Sequence, residues 1–280
     1  MKRIHIIGSG PRTGTTLLAE AMVACYEIDN YVEHEARIFK DEPLTGNIFL
    51  TKYPADYYAV NLPLMLNPDL YVICIIRDPR DAIISKHGSR QDIYWAGLRY
   101  WKLFVKYYDK LRKHKRFILI KYEDLVSKPD EIQELIEKQI PFLKRKAKFS
   151  EYHLVAKPNK KALSALKGVR PILPNGIGVW KADLSRVVGQ VILHGNISDD
   201  LIKFGYEPDK SWENILENIN PNFGESFWPE YFTTFDLLKR KSGEYRELIN
   251  IFLRKLGINP LLIKNTIKKI IKNNALRFCW

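Results

Sequence analysis

The sequence predicts an α/β protein: a doubly wound parallel sheet flanked by helices, with a C-terminal helical extension. Three observations predict it. Short apolar runs alternate with stretches of helical period from Ile4 to Phe204, the pattern of successive βαβ units. The run Leu70–Ile76 is apolar at nearly every position, as a strand covered by helices on both faces must be. The first run, Ile4–Ile7, leads directly into the turn-rich Gly8-Ser9-Gly10-Pro11-Arg12-Thr13-Gly14 and then into a helical pattern.

The elements follow in order. Thr15 to about Tyr26 places Leu17, Leu18, Ala21 and Met22 at helical spacing. Asn47–Thr51 reads as a strand and Ala55–Leu66 as a helix. After the buried run at Leu70–Ile76, Asp81–Lys86 opens another helix, Tyr94–His114 is a long one, and Phe117–Lys121 is a strand. Lys128–Ile140 is helical, with Pro129 in its first turn. Lys157–Gly178, rich in Lys, Pro and Gly, reads as a long loop, which compact domains keep mainly for function. Ser185–Phe204 is helical, and beyond residue 210 the chain turns aromatic and then basic. The expected organisation is an α/β domain over residues 1–210 and a helical extension over 211–280.

The 280 residues are 46% hydrophobic and 28% charged, which excludes disordered and fibrous classes. No run approaches the length of a membrane span. Gly8 arrives before a signal-peptide core could form, so the expected location is cytoplasmic. The odd count of three cysteines, with Cys25 in a helical pattern and Cys74 in an apolar run, reads as buried thiols in a reducing compartment. The net charge is +13, which suits a phosphate-rich ligand, nucleic acid or an anionic membrane. Residues 251–280 hold Arg254, Lys255, Lys264, Lys268, Lys269, Lys272 and Arg277 and no acid.

Strand, glycine-rich loop, helix is the arrangement in which backbone N–H groups and a helix N-terminus hold an anion. A nucleotide-triphosphate loop of the form G-x-x-x-x-G-K-[ST] needs glycine at position 9 and lysine at position 15; Ser9 and Thr15 stand there. That disfavours a P-loop nucleotide kinase, the alternative reading of the loop. A dinucleotide fingerprint needs glycine at position 13, where Thr13 stands. The loop is therefore built for a phosphate-like dianion with Arg12 as its clamp, Thr15 and Thr16 opening the helix, and no metal. A second constellation, Arg77-Asp78-Pro79-Arg80-Asp81-Ala82-Ile83-Ile84-Ser85, follows the buried strand. Arg77 emerges at the strand end, where α/β sheets bind ligands, and Ser85 lies near enough to share an anion with it.

These two segments resemble those of the sulfotransferases that use 3′-phosphoadenosine 5′-phosphosulfate (PAPS), a family with a P-loop-like fold. Pro11, Arg12, Thr13, Gly14, Thr15 and Thr16 resemble the 5′-phosphosulfate loop, and Arg77 with Ser85 resembles the 3′-phosphate site. Thr51-Lys52-Tyr53-Pro54 resembles the strand end that points a lysine at the sulfuryl group. Lys121-Tyr122-Glu123-Asp124-Leu125 resembles the segment behind the adenine. Ser164, Arg170-Pro171-Ile172 and Ile177-Gly178-Val179-Trp180-Lys181 resemble the late loop that closes over the nucleotide. The resemblance spans roughly residues 3–206. It implies PAPS as co-substrate, cofactor contacts from Tyr122, Ser164, Trp180 and Lys181, and catalysis by Arg12 and Lys52. For Trp180, packing on adenine and packing in the core both stand.

For the general base the resemblance points to Val32-Glu33-His34-Glu35-Ala36-Arg37. Its Glu-x-Arg element resembles that of the tyrosylprotein branch and of bacterial relatives, which implies Glu35 as general base with Arg37 orienting the acceptor. His34 is the other candidate. The acceptor itself is not written in these motifs. The reading favoured is a sugar hydroxyl on a surface glycan or its lipid-linked precursor, with a small molecule or protein tyrosine as alternatives. A nucleic-acid partner is not expected, because no RNA or DNA module is recognisable. In the tail, Leu261, Leu262, Ile267, Ile270, Ile271 and Leu276 alternate with lysines and end in Phe278 and Trp280. Residues 261–280 therefore read either as a basic amphipathic helix on an anionic membrane or as a helix packed on the core.

Overall fold

The structure, a computed structural model, describes residues 1–275; the last part of the basic tail, including Leu276, Arg277, Phe278 and Trp280, lies outside the described residues. Five strands form one all-parallel sheet in the order β2-β3-β1-β4-β5: β1 (Lys2–Gly8), β2 (Asn30–Tyr31), β3 (Ile48–Lys52), β4 (Leu70–Ile76) and β5 (Phe117–Lys121). The helices are α1 (Thr15–Cys25), α2 (Asn61–Leu66), α3 (Pro79–Ile83), α4 (Arg99–Leu111), α5 (Tyr122–Ser127), α6 (Pro129–Gln139), α7 (Tyr152–Val155) and α8 (Lys160–Leu166), then α9 (Leu184–His194), α10 (Ser198–Lys203), α11 (Thr234–Lys255) and α12 (Pro260–Ala275). The doubly wound α/β architecture expected from the sequence is the one observed. No helix among the described residues is long and apolar enough to cross a membrane.

The apolar runs explain the sheet order. β1 and β4 are its central pair, in register from Arg3 opposite Leu70 to Gly8 opposite Ile75. Ile4, Ile6, Ile7, Val72, Ile73, Cys74, Ile75 and Ile76 are fully buried. Side chains alternate across a strand, so the sheet feeds two cores. Ile4, Ile6, Ile73 and Ile75 pack against α1 and α6 on one face, while Ile7, Val72, Cys74 and Ile76 pack against the aromatics of α4 on the other. Cys25 and Cys74 are free and buried, and burial pushes both thiols above their ordinary range.

Four expected helices come out shorter or broken. Ala55–Leu66 splits into a 3-10 turn at Asp56–Tyr58 and α2. The helix expected over Asp81–Lys86 ends at Ile83, because Ser85 carbonyl accepts from Trp95 N–H (2.8 Å). Tyr94–His114 starts only at Arg99. The backbone at Tyr94 and Trp95 pairs instead with residues 225–228, through Tyr94 N–H to Glu225 carbonyl (2.9 Å) and Trp228 N–H to Trp95 carbonyl (2.9 Å). Ser185–Phe204 breaks into α9 and α10 at Gly195, which has φ +85°. The Lys157–Gly178 stretch carries α8, capped by the Asn159 side chain.

Candidate active site

A cleft of about 520 Å³ lies at the C-terminal ends of the strands. Its wall includes Pro11 and Arg12 after β1, Pro54 after β3, Arg77 after β4 and Tyr122 after β5, the edge where parallel sheets bind ligands. Of the residues singled out from the sequence, Pro11, Arg12, Gly14, Thr15, Thr16, His34, Glu35, Arg77 and Tyr122 line this one cleft. Arg170, Pro171 and Ile172 of the late loop line it too.

The loop after β1 is held in its shape by its own side chains. Thr13 is buried and its hydroxyl donates to Gly10 carbonyl (2.9 Å), so Thr13 shapes the loop from inside. Arg12 sits at φ +65°, a left-handed conformation a side chain adopts only when its surroundings hold it. Gly14, at φ +93°, caps α1 without a Cβ, which would fall 2.6 Å from the Tyr122 ring. The α1 N-terminus has neither a capping side chain nor an acid in its first turn. Its first N–H groups thus point at the cleft with the positive end of the helix dipole behind them.

Two arginines share the space. Arg12 Nε donates to Ser85 Oγ (2.9 Å), which joins the first loop to the second constellation directly. Arg77 donates to Arg12 carbonyl (2.9 Å) and to Gly176 carbonyl (2.6 Å), with its guanidinium 4.5 Å from the Tyr122 ring centroid. Arg77 Nε is buried without a hydrogen-bond partner. Burial, with the Arg77 charge added, pulls the Arg12 pKa below the ordinary guanidinium range. Two cations this close to each other favour a bound anion.

Lys52 emerges from the end of β3, almost wholly buried behind the cleft-lining Thr16 and Glu35 rather than in the cleft wall itself. Its Nζ donates to Thr16 Oγ1 (3.0 Å) and lies 3.6 Å from Glu35 Oε1. Burial lowers the Lys52 pKa and the Glu35 carboxylate opposes that shift. Glu20, one turn beyond Thr16 on α1, is buried near Lys52, and burial raises its pKa. The Glu35 segment is pinned to the sheet by Ala36 N–H to Lys52 carbonyl (2.9 Å) and Ile38 N–H to Asp56 Oδ2 (2.6 Å). Asp56 is held in turn by His5 at 3.1 Å under β1. His34 also faces the cleft; burial and then Lys52 depress its pKa, keeping it neutral near pH 7.

Four residues stand elsewhere. Ser164 is exposed on α8, whose Ala165 and Leu166 line the cleft instead. Trp180 is in the core, with Arg80 4.1 Å from its ring and Trp212 stacked edge-on. The cause is Asp81, whose carboxylate accepts Gly178 N–H (2.9 Å) and Trp180 N–H (2.8 Å) and tucks this segment against α3. Lys181 follows and is exposed outside the cleft wall. Arg37 lies over Tyr53 (5.0 Å) and Tyr58 (5.9 Å). It lines a neighbouring cavity of about 310 Å³ with Tyr53, Tyr100, Phe232 and Asp236.

The aromatic residues that separate these two spaces were not singled out from the sequence. Phe227 and Trp228 line both cavities, and Trp95 lines the first. Their strap is tied down by Glu230, whose carboxylate accepts from Gln190 (3.2 Å), Arg186 (3.4 Å), His194 and Ser226. Burial opposes the Glu230 charge, but the bonds from His194 and Ser226 and the Arg186 charge hold its pKa down at about 2. The only local signal was the density of aromatics at Phe223, Phe227, Trp228, Tyr231, Phe232 and Phe235.

Residues 19–140 match the sulfotransferase family model. That stretch is similar to the sulfotransferases. The family match contains Glu35, Lys52, Arg77, Ser85 and Tyr122 and begins just after the glycine-rich loop. Among solved structures, the sulfotransferase domain from the curacin biosynthetic pathway is 14% identical, with a TM-score of 0.45 over 65% of this chain and 91% of that one. The sulfotransferase domain of the Synechococcus PCC 7002 olefin synthase is 16% identical, with a TM-score of 0.39 over 65% and 88%. A mouse sulfotransferase, SULT7A1 complexed with PAP, is 10% identical, with a TM-score of 0.38 over 77% and 88%. No curated protein sequence matches the chain.

Proposed function

We propose that the chain transfers a sulfuryl group from PAPS to an acceptor hydroxyl. One observation carries the reading: beside the uncapped α1 N-terminus, Arg12 donates to Ser85 and accepts from Arg77 through its carbonyl, so two cations and both sequence segments meet at one cleft. The residues fit a nucleotide with a phosphate at each end of its ribose. The buried, unpartnered Arg77 Nε and the acid-free helix end are what such anions require.

In this reading the acceptor oxygen forms a bond to sulfur as the bond from sulfur to the bridging phosphate oxygen breaks. The products are a sulfate ester and adenosine 3′,5′-bisphosphate. Glu35 takes the acceptor proton, while Lys52 and Arg12 stabilise charge on the leaving oxygen and the sulfuryl oxygens. Thr15, Thr16 and the amides around Gly14 hold the 5′-phosphate; Arg77 and Ser85 hold the 3′-phosphate, and Tyr122 backs the nucleotide. The acceptor is assigned to the second cavity as a saccharide. Its aromatic wall, with Tyr53 and Trp228 rings 5.7 Å apart and Arg37 beside them, suits a sugar's apolar face and its hydroxyls. The loop lacks the lysine of a nucleotide kinase, which weighs against phosphoryl transfer.

Transfer of labelled sulfate from PAPS to cell-envelope fractions, with thermal stabilisation by adenosine 3′,5′-bisphosphate exceeding that by ATP and Mg²⁺, is the expected result. The reverse order of stabilisation would return the chain to the kinase class.

A further inference from the structure

We infer that the outer face of α11 lies on an anionic lipid bilayer. The inner face of α11 is already used: Gly243 packs so closely on Phe39 that a Cβ would fall 2.7 Å from the ring, Ile251 is buried, and Arg254 pairs with Glu42 (3.4 Å). The outer face carries Phe235, Leu238, Tyr245, Ile249, Phe252 and Leu256, each between 58% and 71% exposed. At about 100° per residue these six fall within an arc of about 100°. Soluble monomers rarely present an apolar stripe of this length to water.

Charge selects the occupant. Residues 239–280 contain eleven basic and two acidic side chains, +9 of the net +13. Arg246 and Lys255 are exposed on the same helix. A second copy docked on this stripe would set like charges against each other. An anionic bilayer takes up the apolar stripe and the basic residues together. The sequence left residues 261–280 open between a membrane-bound and a packed helix; the exposed stripe centres on α11, with Leu262 and Ile267 of α12 exposed beyond it. Placement relative to the cavities fits this use. Phe232 and Asp236 line the second cavity, and the adjacent Tyr231 and Phe235 are exposed, so the stripe starts where that cavity ends. A lipid-linked acceptor would then reach the cavity from the surface the enzyme rests on. That use rests on the proposed transfer reaction, whereas the membrane contact does not.

The test is co-sedimentation of the full chain with phosphatidylcholine vesicles and with equimolar phosphatidylcholine–phosphatidylglycerol vesicles. The wild-type chain is expected to pellet with the mixed vesicles, less so as salt rises, and weakly with phosphatidylcholine alone. The combined variant Tyr245→Ser, Ile249→Ser and Phe252→Ser should partition roughly 100-fold less. Its thermal stabilisation by adenosine 3′,5′-bisphosphate should match wild type, which shows that the fold and cleft are intact. A wild-type chain left in the supernatant, or a variant that pellets equally well, overturns the inference. So does a wild-type dimer in lipid-free solution that the variant converts to monomer, which would give the stripe to a second copy. Wild-type binding to mixed vesicles without any effect of the bisphosphate supports the membrane face and removes the donor reading instead.

Discussion

Glu35→Gln keeps the side chain's shape and removes a charge that does two things. As the acceptor of the substrate proton, its loss should lower kcat by about 10²–10⁴-fold. The same carboxylate lies 3.6 Å from Lys52 Nζ and is the chief group opposing the burial that depresses the Lys52 pKa. Two charges near 4 Å at an effective dielectric of 20 attract by on the order of 4 kcal/mol. Glu35 is 25% exposed, so the realised interaction is smaller. Without it the Lys52 ammonium gives up its proton at lower pH, because a cation whose folded pKa falls further stays charged only over a lower range. The alkaline limb of the kcat–pH profile should therefore move down. Steady-state sulfate transfer across neutral to alkaline pH reads both effects, and calorimetry with adenosine 3′,5′-bisphosphate should give an affinity within a few-fold of wild type. Turnover within a few-fold and an unmoved alkaline limb would refute the reasoning and pass the base role to His34.

Gly14→Ala places a methyl 2.6 Å from Tyr122 at φ +93°. It should cost about 1–2 kcal/mol in stability and weaken bisphosphate binding at least tenfold; a variant with wild-type Tm and affinity would deny the loop its tight fit. Trp228→Ala should raise the acceptor KM about tenfold with the donor KM within a few-fold, because the ring closes the aromatic wall with Tyr53; equal effects on both would argue against the second cavity as acceptor site. Glu230→Gln should cost about 2 kcal/mol in urea unfolding near pH 7. The wild-type advantage is present above the ordinary carboxylate range and fades as pH falls towards about 2, because the folded-state pKa is the lower one. An advantage that persists unchanged to pH 2 would contradict the paired-carboxylate description.

What local sequence could reveal is visible in the strands. Leu70–Ile76 and Phe117–Lys121 match β4 and β5 end to end, since a continuous apolar run bounded by turns has few other folds open to it. The glycine-rich loop and Arg77 were legible because their chemistry is carried by neighbours in sequence. The failures share one physical cause, long-range pairing. Tyr94 and Trp95 have a helical sequence but hydrogen-bond to residues 225–228, and no local pattern announces a partner 130 residues away. For Trp180 the sequence left adenine and core both open, and the choice is made by Asp81, which captures its backbone and sends the indole into the core. Phe227 and Trp228 reach the cleft through that pairing with Tyr94 and Trp95 and through the Glu230 network with α9, which again is invisible to periodicity.

The central claim, that Arg77 and Ser85 grip a second phosphate of the nucleotide whose other end lies by Arg12, is tested most directly by calorimetry. Adenosine 3′,5′-bisphosphate and adenosine 5′-monophosphate are titrated into the wild-type chain and into Arg77→Ala. The bisphosphate should bind wild type about 10–100-fold more tightly than the monophosphate, and Arg77→Ala should bring the two within a few-fold. Equal affinities for wild type, or a preference that survives Arg77→Ala undiminished, would contradict it.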